Sequence, residues 1–203
     1  MKKILLLSFL VLALLTNCGA RRTTTVATLT TDTIVVINGI TWTTRNVDAP
    51  GIFAPTPESA GMFFQWNRRE GWSAVGRRVR DWDSSIPEGT AWYAENDPCP
   101  EGWRVPTRDE LNSLVGAGSE WTTFNGINGR LFGIAPYQIF LPAAGVRGHD
   151  TGRLRNVGGG GFYGSSTQHD STFAWNLSFG RAVNTTLNNR RAGGFSVRCV
   201  KIK

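Results

Sequence analysis

The chain contains three cysteines, and their positions constrain the fold more than any other feature of the sequence. Cys18 follows an apolar segment near the N-terminus, which leaves Cys99 and Cys199 as an even pair. Two cysteines that remain in an exported protein are expected to form a disulfide, because the compartment is oxidising. Such a bond would hold the last strand-like segment, residues 193–200 (GGFSVRCV), against the middle of the chain.

The N-terminus has the layout of a secretory signal peptide. Lys2 and Lys3 precede an apolar run at residues 4–15, which is too short to span a bilayer. Residues 15–19 (LTNCG) resemble a bacterial lipobox, which predicts a signal peptide at residues 1–17 and lipid on the sulfur of Cys18. The alternative is an ordinary signal peptide with Cys18 near the cleavage site. Several acyl chains on one cysteine would anchor the protein stably to a membrane.

The charge of the chain is basic but does not identify a partner. Removing residues 1–17 removes two lysines, so the formal net charge falls from +7 to +5. Arginines and tryptophans alternate within residues 66–82, a combination also found in proteins that bind single-stranded nucleic acid. An exported lipoprotein rarely meets nucleic acid, so we expect no nucleic-acid partner and interpret residues 66–82 as a solvated loop anchored by tryptophan.

Composition favours one domain rich in short strands. The 186 residues that remain of 203 after removal of the signal peptide are enough for a single core. Aromatic residues make up 11% of the chain and charged residues only 18%, which suits strands and ordered loops better than a helical bundle. Residues 18–33 are rich in threonine without an apolar period and predict a lipid-anchored tether, followed by a domain at residues 34–203.

Three local patterns predict elements in the first half of the domain. Residues 34–43 (IVVINGITWT) indicate a hairpin, because Asn-Gly supplies the positive φ angles of a type I′ turn. Residues 61–66 indicate a short strand. Residues 67–96 form a long segment with neither the period of a helix nor the alternation of a strand. Long loops of this kind are usually functional or held by aromatic anchors.

One helix and two strands are predicted in the second half. Thr107 and Glu110 have the spacing of a capping box, which predicts a helix over residues 107–115. Residues 173–179 alternate apolar and polar side chains as a strand does. The closing segment, residues 193–200, is expected to place Phe195, Val197 and Cys199 on one face.

Four ordered motifs resemble a known bacterial family. They are PCPEGWRVPT at 98–107, LPAAGVR at 141–147, YGSST at 163–167 and SVRCV at 196–200, and their order is that of the Fibrobacter succinogenes major paralogous domain (FISUMP). The resemblance implies an exported protein of Bacteroides-type bacteria, lipid-anchored to the outer membrane at the cell surface. It also implies an α+β fold like the C-type lectins and the formylglycine-generating enzymes, with short twisted antiparallel strands and few helices.

The sequence offers little for catalysis. The only histidines are in His149-Asp150 and His169-Asp170. Adjacent residues on a strand point to opposite faces, and both pairs lie in Gly-rich or polar loop sequence. A zinc site would need more ligands than two histidines and two disulfide-bonded cysteines provide. The serines at 165 and 166 lack the glycine context of a nucleophile elbow. We therefore expect no enzyme, no metal site and no cofactor.

Ligand binding is the leading functional class. Residues 163–194 interleave short or planar polar groups with apolar positions, as adaptable binding surfaces do, although ordinary turns have the same composition. The layout also resembles the variable proteins of diversity-generating retroelements, which diversify a polar stretch before the C-terminus. The candidate ligand-binding residues are Tyr163, Ser165, Asp170, Ser171, Thr172, Asn176, Asn184, Thr185, Thr186, Asn188, Asn189 and Arg190.

The partner expected at these residues is a protein or a glycan at the cell surface. Calcium-dependent sugar binding is disfavoured. The lectins that bind sugar through calcium have a loop motif and a strand motif, and only Trp175-Asn176 of these is present here. A structural role, as the tip or an accessory subunit of a pilus, is the alternative. Arg21-Arg22 would then be a protease site that releases the chain from its lipid, although a basic pair beside a membrane is equally consistent with a tether.

Overall fold

A computed structural model of the chain describes residues 33–182 and 184–203, apart from the Asn184 side chain. The predicted signal peptide, Cys18 and residues 18–32 of the predicted tether lie outside the described residues. Within the described ranges, no helix has the length and apolar character needed to cross a bilayer.

The described residues contain 17 strands, one α-helix and one short 3₁₀ helix. The α-helix, α1, covers Arg108–Gly116, and the 3₁₀ helix covers Ala94–Asn96. In chain order the strands are β1 (Ile34–Ile37), β2 (Ile40–Thr43), β3 (Val47–Ala49), β4 (Ile52–Phe53), β5 (Phe63–Phe64), β6 (Gly71–Trp72), β7 (Trp103–Arg104), β8 (Ser119–Phe124), β9 (Ile127–Ile134), β10 (Tyr137–Pro142), β11 (Val146–Arg147), β12 (Leu154–Arg155), β13 (Gly161–Gln168), β14 (Phe173–Phe179), β15 (Asn184–Arg190), β16 (Phe195–Ser196) and β17 (Val200–Lys201).

The strands form five sheets, of which three build the body of the domain. The largest has the order β15-β14-β13-β16-β5-β6, so β15 is an edge strand. A four-stranded sheet has the order β1-β2-β17-β7, and β8, β9 and β10 form an antiparallel meander. The two small sheets pair β3 with β4 and β11 with β12.

The α+β fold class expected from the resemblance is wrong. Strands make up 41% of the described residues and helix only 7%, so the fold is β-rich with several sheets. One nine-residue helix cannot form a helical layer of its own, and it packs instead beside β13, β14 and β15. No finding identifies the C-type-lectin-like fold that the resemblance implied.

The first hairpin and the strand at 173–179 are confirmed. Asn38 and Gly39 have φ angles of 51° and 75°, and β1 pairs with β2 around them. Asn125 and Gly126 have φ angles of 47° and 82° and join β8 to β9 in the same way, although this hairpin was not predicted. Of the strand predicted at residues 61–66, only β5 forms.

The predicted helix is confirmed, with both hydrogen bonds of its capping box. The Glu110 N–H donates to Thr107 Oγ1 at 3.2 Å, and the Thr107 N–H donates to Glu110 Oε2 at 2.8 Å. Leu111 and Leu114 are buried, and they pack in a core with residues of β2, β9, β13 and β14. Arg104 also forms a two-point ion pair with Glu110, with N–O distances of 2.6 and 2.8 Å.

The Glu110 carboxylate predicts an acid-sensitive contribution to stability. Burial alone would raise the pKa of Glu110, but the hydrogen bonds from Arg104 and Thr107 and the charge of Arg104 hold the pKa below its usual value. This contribution is therefore complete above the unfolded-state pKa and is lost as the pH falls through the folded-state pKa. Glu110→Gln should cost about 1 kcal/mol at pH 7 and less at pH 3, measured by urea unfolding. Glu120→Gln, at an exposed position, is the control, and an equal cost at both pH values would contradict the expectation.

The closing segment connects two sheets. It is not one strand, because β16 belongs to the six-stranded sheet and β17 to the four-stranded sheet. The expected apolar residues Phe195, Val197 and Cys199 are buried, but so is the alternate residue Arg198. The predicted disulfide between Cys99 and Cys199 is present, with 6.1 Å between the Cα atoms. Both faces of this segment therefore lie in the core.

Candidate functional site

The long segment at residues 67–96 is held in place by aromatic contacts, one of the two alternatives predicted for it. The buried Trp72 packs against Trp82 with 4.8 Å between ring centroids, and the buried Trp66 packs against Trp92 at 6.1 Å. Trp82 also donates a hydrogen bond to the His149 carbonyl at 3.1 Å. These tryptophans anchor the loop; Trp66 and Trp72 are buried, and Trp82 and Trp92 are partly buried.

Arg191 joins this loop to the turn between β13 and β14. Its side chain is 1% exposed, and its guanidinium lies 4.1 Å from the centre of the Trp66 ring. It donates hydrogen bonds to the Gly89 carbonyl at 2.8 Å and to Gln168 Oε1 at 2.8 Å, and a further bond to the Asp170 carbonyl. A planar guanidinium with five donors can satisfy several acceptors at once, so Arg191 fixes the distance between the two segments.

A cleft of about 450 Å³ lies between these two segments. We call it the loop cleft; it is lined by residues 86–90 and by Gln168, Asp170, Ser171 and Arg191. Its volume is in the range of small-ligand sites. The Arg191 donors are spent on neighbouring acceptors, so the groups open to a ligand are those of the two rims.

The Asp170 carboxylate forms one rim of the loop cleft. Its Oδ1 accepts hydrogen bonds from the N–H groups of Thr172 at 2.7 Å and Phe173 at 2.8 Å. These backbone donors, with a smaller contribution from His169, hold the pKa of Asp170 below its usual value. Glu88 is exposed on the opposite segment and forms no ion pair within residues 33–182 and 184–203. The rims therefore present two carboxylates, which can accept hydrogen bonds from hydroxyl or ammonium groups.

Three of the twelve predicted binding residues are buried and form hydrogen bonds inside the domain. Tyr163 donates its hydroxyl to the Pro142 carbonyl at 3.0 Å, and Ser165 donates to the Trp175 carbonyl at 2.8 Å. Asn176 donates to Ser178 Oγ at 2.7 Å and is 1% exposed. A ligand cannot reach them in this conformation, so the loop cleft does not include them.

The predicted residues of β15 are divided between the two faces of the sheet. Pairing with β14 places Thr186, Asn188 and Arg190 on the face of Trp175 and α1. Thr186 donates to Asn112 Oδ1 of α1 at 2.7 Å. Thr185 and Asn189 lie on the opposite face with Asn176, as do alternate residues of any strand. Asn184 begins the strand. The twelve residues therefore do not form one concave surface.

The structure brings together Asp170, Ser171 and Thr172 of the predicted set at or beside the loop cleft. Ser171 lines it, and the Thr172 carbonyl accepts the Arg191 N–H at 2.9 Å. The opposite wall, residues 86–90, was absent from the predicted set. The only indication of this wall in the sequence is the length of the loop at residues 67–96. That length predicts a functional or aromatic-anchored segment, but not which residues the segment faces.

His169 and Asp170 contact each other, and they lie outside the strands, as their polar loop sequence predicts. The two residues lie in a turn, where neighbouring side chains can meet, and His169 Nδ1 is 3.0 Å from Asp170 Oδ2. His169 also contacts the edge of Trp175, with 5.2 Å between ring centroids. Across residues 33–182 and 184–203, no group of three or more His, Cys, Asp or Glu side chains converges as metal ligands would.

Comparison with family models, with curated proteins and with solved structures gives no match to this chain. The resemblance to the FISUMP family therefore stays a prediction.

Proposed function

We propose that this chain is the ligand-binding domain of an exported, lipid-anchored surface protein, and that its ligand binds in the loop cleft. The observation that carries the proposal is the cleft itself. Two segments about 80 residues apart in sequence are fixed against each other by the buried Arg191, and polar groups of both remain exposed around a space of about 450 Å³. Rigid segments that present polar groups lower the entropic cost of binding.

The sequence supports the cellular context. The N-terminal segment has the layout of a lipoprotein signal, and the disulfide is typical of an oxidising compartment. Mass spectrometry of the membrane fraction tests the anchor: a diacylated or triacylated Cys18 at the N-terminus supports it, and an unmodified chain in the soluble fraction contradicts it. Cys18→Ala should release the protein from the membrane without changing the folded domain.

A bulky side chain in the loop cleft should weaken binding. Ser171→Trp places an indole at the rim of a cleft of small-ligand size, so we expect binding to fall by about tenfold or more. The measurement is binding of the purified protein to a glycan array and to a panel of immobilised extracellular proteins, with and without chelator. Any probe captured by the parent protein then serves to compare the variants.

Thr151→Trp is the matched control, because it places the same side chain on an exposed turn that does not line the cleft. The proposal expects Ser171→Trp to lose the captured probe and Thr151→Trp to retain it. Equal binding by both variants and the parent would show that the probe binds outside the loop cleft.

A further inference from the structure

Four exposed apolar side chains gather on one side of the domain, beside its first strand. In β1, Ile34 is 44% exposed and Val36 is 51% exposed; where β9 turns into β10, Ile134 is 76% exposed and Tyr137 is 65% exposed. Val36, Ile134 and Tyr137 line one hollow of about 350 Å³, and Ile34 lies on the same side of β1 as Val36. We call these four residues the apolar face.

Contacts among three segments fix the shape of the apolar face. A Cβ atom on Gly133 would lie 3.1 Å from Ile37 Cδ1, so β1 packs directly against the end of β9. The Asn38 side chain donates to the Ser113 carbonyl of α1 at 2.9 Å, and the Gly133 N–H donates to the Gly118 carbonyl at 2.9 Å. The apolar face is therefore carried by regular elements that are fixed to one another.

The segments that form and frame the apolar face carry no charge. Residues 33–44, 111–119 and 131–146 contain no Asp, Glu, Lys, Arg or His. Such a surface gains little from an acidic or basic partner, whereas burial of its apolar area stabilises contact with lipid or with another apolar surface. Aliphatic side chains beside a tyrosine suit the interface of a bilayer, because the tyrosine ring is apolar at one end and polar at the other.

The position of the apolar face in the chain favours lipid as its partner. β1 is the first described strand, and the predicted tether leads directly into it. Thr33 follows the predicted lipid-bearing Cys18 by 15 residues. An extended chain spans at most about 3.6 Å per residue, so about 54 Å is the greatest distance between these two residues. A lipid on Cys18 would therefore keep the apolar face within reach of the bilayer, where contact becomes an intramolecular step with a high effective concentration.

We propose that the apolar face lies in the interface of the membrane that carries the lipid anchor, and that it sets the orientation of the domain on that membrane. This placement rests on the proposed lipid anchor, but not on ligand binding in the loop cleft. Without the anchor, the apolar face binds lipid weakly and reversibly, so the Cys18→Ala protein is still released from the membrane on washing. Together with the anchor, it is a second membrane contact that is held at the bilayer by the first.

A fluorescent label at either end of β9 tests the orientation. Ile134→Cys and Ile127→Cys each introduce a thiol for a nitrobenzoxadiazole label; both isoleucines are exposed, and they lie at opposite ends of the strand, about 24 Å apart. The lipidated protein is added to vesicles of phosphatidylethanolamine and phosphatidylglycerol, and dithionite then reduces the labels that water reaches. Relative to its rate without vesicles, the label at position 134 should be reduced several-fold more slowly, and the label at position 127 should be unchanged. Equal rates at the two positions would overturn the proposal.

A titration without the anchor separates the apolar face from the lipid on Cys18. The Cys18→Ala chain, labelled at position 134, is titrated with the same vesicles, and we expect a saturable rise in fluorescence that added salt does not abolish, because the face is uncharged. Val36→Ser and Tyr137→Ser should each weaken this binding about tenfold, the loss expected for one apolar side chain.

The two measurements distinguish failure of the anchor from failure of the apolar face. An unmodified Cys18 would contradict the anchor, and the titration would still support the face if the fluorescence rises. A rise that salt abolishes, or no rise at all, would overturn the proposal. Sedimentation of the same chain as a dimer that Tyr137→Ser dissociates, with no response to vesicles, would assign the apolar face to a second copy and would likewise overturn it.

Discussion

Replacing Cys199 with serine should lower the free energy of unfolding by roughly 2–5 kcal/mol. The disulfide closes a loop of 100 residues, and in the chain-entropy model a loop of that length contributes about 4.7 kcal/mol before strain and residual denatured-state structure reduce it. Cys199 is also completely buried in a core with Val47, Val105 and Val197. Loss of the bond therefore frees the end of the segment that joins the two largest sheets.

Denaturant unfolding under non-reducing conditions measures this effect. Cys99→Ser should cost a similar amount, because it removes the same covalent link. Reduction of the parent protein should reproduce most of the loss, and neither variant should change export or lipidation of Cys18. Equal stability of the parent and both variants would show that the disulfide does not stabilise the domain.

Replacing Arg198 with methionine should destabilise the domain by about 3 kcal/mol or more. Arg198 is completely buried, and its guanidinium donates to Asn46 Oδ1 at 3.0 and 2.8 Å and to the Phe140 carbonyl at 3.1 Å. Burial lowers the pKa of Arg198 to about 10 and raises that of the neighbouring Tyr163 to about 12. Methionine fills a similar space but leaves three buried acceptors, Asn46 Oδ1 and the carbonyls of Thr43 and Phe140, without their donor.

A double-mutant cycle distinguishes the hydrogen bonds from packing. Arg198→Met and Asn46→Ala should couple by about 0.5–3 kcal/mol, because both belong to one network. The exposed Arg153→Met is the control and should change stability by less than about 0.5 kcal/mol. If Arg198→Met cost no more than this control, the buried guanidinium would not be a stabilising centre of the core.

The elements that could be predicted from the sequence are those encoded by neighbouring residues. Asn38-Gly39 specifies its turn through backbone φ angles, and Thr107 with Glu110 specifies the start of α1 through reciprocal hydrogen bonds. The disulfide followed from counting, since Cys18 was assigned to the lipid. Composition favoured short strands, but the α+β class came from the resemblance, and the Asn125-Gly126 turn that joins β8 to β9 was not used as a hairpin signal.

The interior polar residues could not be predicted in the same way. Alternation places Arg198 on the face opposite Val197 and Cys199, and arginine is rarely buried. The segment from β16 to β17 is nevertheless covered on both faces, because it connects two sheets. Asn176 and Ser165 look like ligand-binding residues in composition, but their partners are supplied by the sheet itself. A polar residue type does not reveal which face of a strand it occupies.

The loop cleft depends on contacts that no local pattern encodes. Arg191 lies 102 residues from Gly89 and 23 from Gln168, and it hydrogen-bonds to both. The polar residues near Asp170 could be identified from the sequence, but the segment that faces them could not. The buried side chain of Arg191 therefore holds two segments that are distant in sequence side by side, and this determines where their exposed polar groups meet.

Hydrogen exchange by mass spectrometry, with the tightest probe captured from the glycan and protein panels, tests the central claim most directly. If the loop cleft is the binding site, amides in residues 86–90 and 168–172 should become protected when the probe is added, and the protection should vanish in Ser171→Trp. Protection confined to other segments, with both of these unchanged, would contradict the account.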